Sequence, residues 1–142
     1  MTPSSKKPRP PEPERDYSHR SLLDKLGVKS RQRILILEIR DASFLDEIKP
    51  FDPSFAEGKP AADFDLIFLA AEAKEDLEQL PRLRKFIKKN GAIWVVYPKG
   101  KQHIREIEVI NAGKDAALTD NKVCSFSLTH TALRFVIPLA QR

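Results

Sequence analysis

The segment Arg33 to Ile39, read Arg-Ile-Leu-Ile-Leu-Glu-Ile, constrains this chain more than any other. Four consecutive aliphatics at Ile34 to Leu37 suit a strand buried on both faces, as the central strand of a parallel sheet must be. In such a sheet ligands sit beyond the carboxyl ends of the strands, so Glu38 to Ser43 is where a ligand loop belongs. That loop contains no glycine.

A chain of 142 residues, 41% hydrophobic and 32% charged, has room for one globular core, expected here over residues 17–142. No apolar run approaches the roughly 20 residues that cross a bilayer, and the amino terminus lacks the apolar stretch of a signal peptide. A cytoplasmic protein without membrane contact is therefore expected. Cys124 is the only cysteine, which rules out an internal disulfide and a multi-cysteine zinc site. It reads as a small core residue.

The formal net charge of +5 is unevenly spread. Residues 1–33 carry nine Lys/Arg against four Asp/Glu, and residues 34–78 carry four against twelve. Residues 79–105 then hold eight basic and no acidic residues, and the remainder balances at four of each. The folded part is thus neutral but dipolar.

Residues 1–16 include five prolines and no aliphatic beyond Met1, so they read as a disordered arm, with Lys6, Lys7 and Arg9 serving solubility rather than specific nucleic-acid contact. Tyr17 to Gly27 is expected to form a short amphipathic helix closing one sheet edge, with Ser18 or Ser21 as its cap and Leu22, Leu23 and Leu26 inward. His19 beside that cap reads as a surface or packing residue. Ala42 to Ile48 can form a second helix with Phe44, Leu45 and Ile48 inward.

Three prolines and a glycine in Pro50 to Asp63 leave a second strand rudimentary or missing. Phe64 to Leu69 is the next buried strand. Lys74 to Lys89 reads as a helix that Pro81 kinks or restarts, ended by Asn90-Gly91, before a third core strand, Ala92 to Tyr97. Gly100 to Leu118 fits helix or strand; the helical period of Ile104, Ile107 and Ile110 is preferred. Lys122 to Leu128 and Ala132 to Leu139 read as a terminal antiparallel hairpin around Thr129-His130-Thr131.

This order predicts an α/β fold: a short, Rossmann-like, methyltransferase-like and mostly parallel sheet with helices on both faces and a C-terminal antiparallel β-hairpin. Tyr17 to Lys29, Phe64 to Leu69, Gly91 to Val95, Tyr97-Pro98-Lys99 and Asn121 to Cys124 together resemble an uncharacterised bacterial domain-of-unknown-function family. The resemblance runs from about Tyr17 to Ile137 and implies a methyltransferase-like fold without an assigned activity. In that family the hairpin carries an acidic pair and a tryptophan, where this chain has Ser127, Leu128 and His130. The first strand there leads into a glycine-containing turn, where this chain has Ile39 to Ser43.

S-adenosylmethionine binding, as the resemblance to methyltransferases implies, uses a glycine-rich turn and an acidic residue ending the second strand. A side chain in that turn holds the backbone away from the cofactor. Ala42 and Ser43 are small but not equivalent to glycine, and Pro50 to Asp63 offers no assignable strand-ending carboxylate. Glu38, Arg40, Asp41, Ser43, Glu72, Tyr97 and Lys99 are the candidates for a cleft at the strand ends; as structural residues they would be solvated loop charges and a tyrosine at the sheet rim. No phosphate loop or nucleophile elbow is present, and His19, His103 and His130 lack metal-ligand spacing.

The basic run Arg82 to Lys89 would place Arg84, Lys85, Lys88 and Lys89 on the outer face of one helix. A solvated face is favoured there over a nucleic-acid surface, because no aromatic stacking platform accompanies it. An exposed last strand makes a protein partner or a homodimer through the C-terminal hairpin an open expectation. The sequence thus reads as a non-catalytic binding or interaction module with no cofactor on a degenerate methyltransferase-like fold. The alternative is a divergent S-adenosylmethionine-dependent methyltransferase.

Overall fold

The computed structural model describes residues 21–55 and 63–142. The arm at residues 1–16, the Ser18 cap with His19, and residues 56–62 of the second-strand region lie outside them. Every residue of β1 (Ile34–Leu37) is buried, as its aliphatic run requires. It pairs in parallel with β2 (Ser54–Phe55) on one side and with β3 (Phe64–Ala70) on the other. β4 (Ile87–Pro98) continues the parallel set beside β3. β5 (Thr119–Ser125) and β6 (His130–Val136) then form an antiparallel hairpin whose second strand pairs with β4. The six strands lie in the order β2-β1-β3-β4-β6-β5. The second strand is therefore rudimentary rather than missing. The hairpin turn falls at residues 126–129, earlier than expected, so His130 opens a strand.

Alternation along the strands feeds two cores. Leu35, Leu37, Ile67, Leu69, Ile93 and Val95 pack with α3 (Leu80–Arg84) and α4 (Glu106–Asp115) on one face. Ile34, Ile36, Leu66, Phe68, Trp94 and Val96 pack with α1 (Leu22–Lys25) and α2 (Ala42–Ile48) on the other. Ser21, one of the two expected caps, accepts the Asp24 N–H at 3.2 Å. α1 packs on a face of the sheet towards its β5 edge: the indole Nε1 of fully buried Trp94 donates to the Leu26 carbonyl at 3.0 Å, and Lys122 of β5 donates to the Lys25 carbonyl at 2.8 Å. A buried indole needs an acceptor, and the end of a helix has carbonyls to spare.

Lys74 to Lys89 is not one helix. A 3-10 turn, Lys74–Gln79, leads into α3 at Leu80, where Pro81 sits in the first turn and loses no helical hydrogen bond. The helix ends at Arg84, and the Phe86 carbonyl already accepts the Phe64 N–H at 2.8 Å, so Ile87 to Asn90 run as strand. The basic helix face expected from Arg84 to Lys89 is consequently divided between a helix, a turn and a strand. Asn90-Gly91 stops nothing: Gly91 lies inside β4 at a register shift, where a Cβ would stand 2.8 Å from the Phe64 carbonyl oxygen.

The preferred helix after Gly100 is present as α4, but its inward face differs from the one expected. Ile104 is buried in the preceding loop, Ile107 is exposed, and Val109 and Gly113 face the core. The helix starts only at Glu106, which shifts its phase. Gly113 is required because any Cβ there would collide with the Phe135 ring. Glu106 also reaches Tyr97 of β4, whose hydroxyl lies 3.4 Å from its carboxylate. Burial, and then the Glu106 charge, push the Tyr97 phenol up to about 12. β5 is the outer strand; Asp120 and Lys122 blunt it, and Cys124 there is half-buried rather than a core residue. Among the described residues no helix is long and apolar enough to cross a membrane.

Two outcomes are expected. Trp94→Phe, which strands the Leu26 carbonyl and leaves a void, should cost about 2–4 kcal/mol in urea denaturation. Tyr97 is held neutral in the fold, so its contribution is complete below pH 10 and is lost as pH rises from 10.0 towards about 12. The urea midpoint should therefore fall less steeply across that window in Tyr97→Phe than in the parent.

Candidate functional site

The connection that leaves β1 runs to β2 on one side of the sheet, and the connection that leaves β3 runs to β4 on the other. The loops at the carboxyl ends of β1 and β3 therefore part and open a crevice. A cleft of about 580 Å³ lies there.

Its first wall is the turn after β1. Glu38 has φ +63°, a left-handed conformation that costs a residue with a Cβ roughly 1–2 kcal/mol. The turn thus has the backbone shape that glycine ordinarily supplies, although no glycine is present. Ile39 returns to the core, and Arg40 extends outward to pair with Glu38 at 3.1 Å. Asp41 caps α2, its Oδ1 accepting the Phe44 N–H at 3.0 Å. A carboxylate thereby occupies the helix end where an anionic ligand would otherwise bind.

The second wall follows β3. The Oδ2 of Asp76 accepts the N–H groups of Glu72 and Ala73 at 2.9 and 3.1 Å, fixing the backbone that carries Glu72. His103 packs a ring nitrogen 2.9 Å from the Glu72 carbonyl oxygen. The third wall is the hairpin turn. Ser127 Oγ accepts the N–H groups of Thr129 and His130 at 3.2 and 3.1 Å, which stiffens the turn and aims His130 into the cleft. His130 Nε2 lies 2.8 Å from Glu72 Oε2, and its Nδ1 lies 2.8 Å from Thr129 Oγ1. An imidazole held between a carboxylate and a hydroxyl can accept a proton through one ring nitrogen while the carboxylate stabilises the resulting cation. The floor is apolar, formed by Ile39, Ala70, Val96 and Phe126.

Of the sequence candidates, Glu38, Arg40, Asp41 and Glu72 line this cleft. Ser43 is an exposed residue of α2 outside the lining. Tyr97 and Lys99 belong to a separate depression of about 250 Å³, with Gly100, Arg105 and Thr131. Strand alternation separates them: Val96 faces the cleft, so its neighbour Tyr97 faces the other side. Lys99 instead donates to Ser125 Oγ at 2.8 Å. Asp76, Phe126, Thr129 and His130 were not candidates. The signal available was the departure of the hairpin residues Ser127, Leu128 and His130 from the resembled family, which coincides with the third wall.

Among the described residues no group of three or more His, Cys, Asp or Glu side chains is placed to hold a metal ion. No family model matches the chain. No curated protein matches it either, so the resemblance read from short sequence stretches carries no family assignment. Solved structures do match. A SAM-dependent methyltransferase from Aquifex aeolicus is 14% identical with a TM-score of 0.59, over 82% of this chain and 88% of that one. A TehB-like SAM-dependent methyltransferase from Corynebacterium glutamicum, also 14% identical, gives 0.57 over 82% and 85%. A chain from the complex of the Haloferax volcanii Trm112 methyltransferase activator, 13% identical, gives 0.60 over 82% and 86%. The chain has the Rossmann-like fold of methyltransferases, with parallel strands through the centre of its sheet and an antiparallel pair at one end.

Proposed function

We propose that this chain is a divergent S-adenosylmethionine-binding domain of the methyltransferase type, with the cleft at the ends of β1 and β3 as its cofactor site. The observation that carries this reading is the convergence of Glu38, Asp41 and Glu72 above an apolar floor where the strand order reverses. The cleft volume of about 580 Å³ suits a ligand of nucleoside size. Its walls are acidic and the α2 terminus is already capped by Asp41, a setting that disfavours phosphates and favours a ligand bearing positive charge.

The residues present fit such a cofactor. Glu38, Asp41 and Glu72 would hold its ammonium and sulfonium charges, and Ile39, Ala70 and Val96 would receive its adenine ring. When bound, the cofactor supplies an electrophilic methyl group. The reading of a non-catalytic module rested on crowding in a turn without glycine. Glu38 supplies the left-handed backbone shape that glycine ordinarily gives such a turn, and the likeness to solved SAM-dependent methyltransferases supports the cofactor reading over that one.

Calorimetric titration with S-adenosylmethionine and S-adenosylhomocysteine tests the proposal. Saturable binding is expected, tighter for the sulfonium form because the walls are acidic. Glu38→Lys, an exposed charge reversal, should weaken S-adenosylmethionine binding about 10-fold, or roughly 1.4 kcal/mol. Absence of binding by either ligand, or equal binding by Glu38→Lys, would overturn it.

A further inference from the structure

We propose that Thr129, His130 and Glu72 form a proton relay for a methyl acceptor, and that this acceptor is a phenol; the inference rests on the cofactor reading above. All three residues line the cleft. Glu72 Oε2 stands 2.8 Å from His130 Nε2, and an ionised carboxylate only accepts, so Nε2 carries the hydrogen of the neutral ring. Nδ1 therefore keeps its lone pair and accepts the Thr129 hydroxyl 2.8 Å away. Ser127 Oγ lies 3.3 Å from Thr129 Oγ1, and with the Thr129 hydrogen directed at His130 it is left as the donor of that pair. With its own hydrogen directed at His130, Thr129 Oγ1 retains a lone pair for a donor arriving in the cleft.

In the transfer, the acceptor's O–H proton passes to Thr129 Oγ1 while the Thr129 proton passes to His130 Nδ1. The acceptor oxygen forms its bond to the methyl carbon, and the carbon–sulfur bond of the sulfonium breaks with its electron pair retained by sulfur. The products are a methyl ether, a neutral thioether and an imidazolium paired with Glu72, which later releases its proton to water.

Acceptor chemistry narrows the substrate. A thiol ionises readily and does not need this relay, whereas a hydroxyl acceptor does. A phenol, with a pKa of about 10 as in tyrosine, needs a base and one suffices. Among the described residues, the charged groups lining the cleft with His130 and Glu72 are Glu38, Arg40 and Asp41 from the turn after β1 and Asp76 from the segment after β3. Three of these four are acids and oppose entry of a phenolate, so the acceptor enters neutral and is deprotonated in place. Phe126, in the hairpin turn that carries His130, supplies an apolar surface for an aromatic ring beside the relay.

The test uses the full chain saturated with S-adenosylhomocysteine, titrated with 4-nitrophenol at a pH where the free probe is neutral. Bound probe should show phenolate absorbance. His130→Gln should bind the probe without that band, and Thr129→Val and Glu72→Gln should each reduce it, with calorimetry used to keep every variant saturated with S-adenosylhomocysteine. With S-adenosylmethionine, formation of the methyl ether should fall about 100-fold or more in His130→Gln, in kcat rather than KM. A parent protein that binds S-adenosylhomocysteine but leaves the probe neutral, or fails to bind it, overturns the relay and the phenolic class while sparing the cofactor reading. A phenolate band undiminished in Thr129→Val or His130→Gln does the same.

Discussion

Burial of Ile34 to Leu37 on both faces is the constraint from which the rest of the molecule follows. A strand with no polar side cannot sit on a sheet edge or face water, so it has parallel neighbours on either hand and helices above and below. Parallel pairing obliges the chain to cross the sheet between strands, and this gathers the loops that follow β1, β3 and β4 at one end. The change of direction between β1 and β3 then parts two of those loops. The cleft is a product of that topology rather than of any local sequence motif.

Within the cleft, short polar contacts hold the loops in place of a glycine-rich turn. Asp41 and Asp76 each use a carboxylate to hold backbone N–H groups, and Ser127 does so with a hydroxyl. All three residues stabilise turns, and each turn presents a second residue to the cavity: Glu38 with Arg40, Glu72, and Thr129 with His130. Glu38 is strained as well, its left-handed backbone carrying a side chain that pairs with Arg40. Strain of this kind persists when the surroundings determine the chain path. Leu37 and Ile39, buried on either side, do so here.

Much of the fold was legible because hydrophobic runs and turn residues act locally. The strands at Ile34, Phe64 and Ala92, the hairpin, the Ser21 cap and the helix over Ala42 to Ile48 all follow from period and punctuation. Errors came where packing overrode period. Residues Ile87 to Asn90 carry a helical pattern, yet the free edge of β3 offered backbone partners, and the Phe86 carbonyl pairs with Phe64. Ile104, Ile107 and Ile110 are spaced as a helical face, yet the helix begins after Arg105, so Ile107 points to solvent.

By itself the sequence determined the strand that must be central, the loop that must lie at the ligand end, and four residues, Glu38, Arg40, Asp41 and Glu72, that line the cleft. Tertiary structure alone decided that Tyr97 and Lys99 belong elsewhere, because side chains alternate across a strand and Val96 takes the cleft side. It alone decided that Glu72 meets His130, a partner 58 positions away in the chain. Such a contact depends on strand order in the sheet, and strand order is set by how whole faces bury one another, which no short stretch of residues encodes.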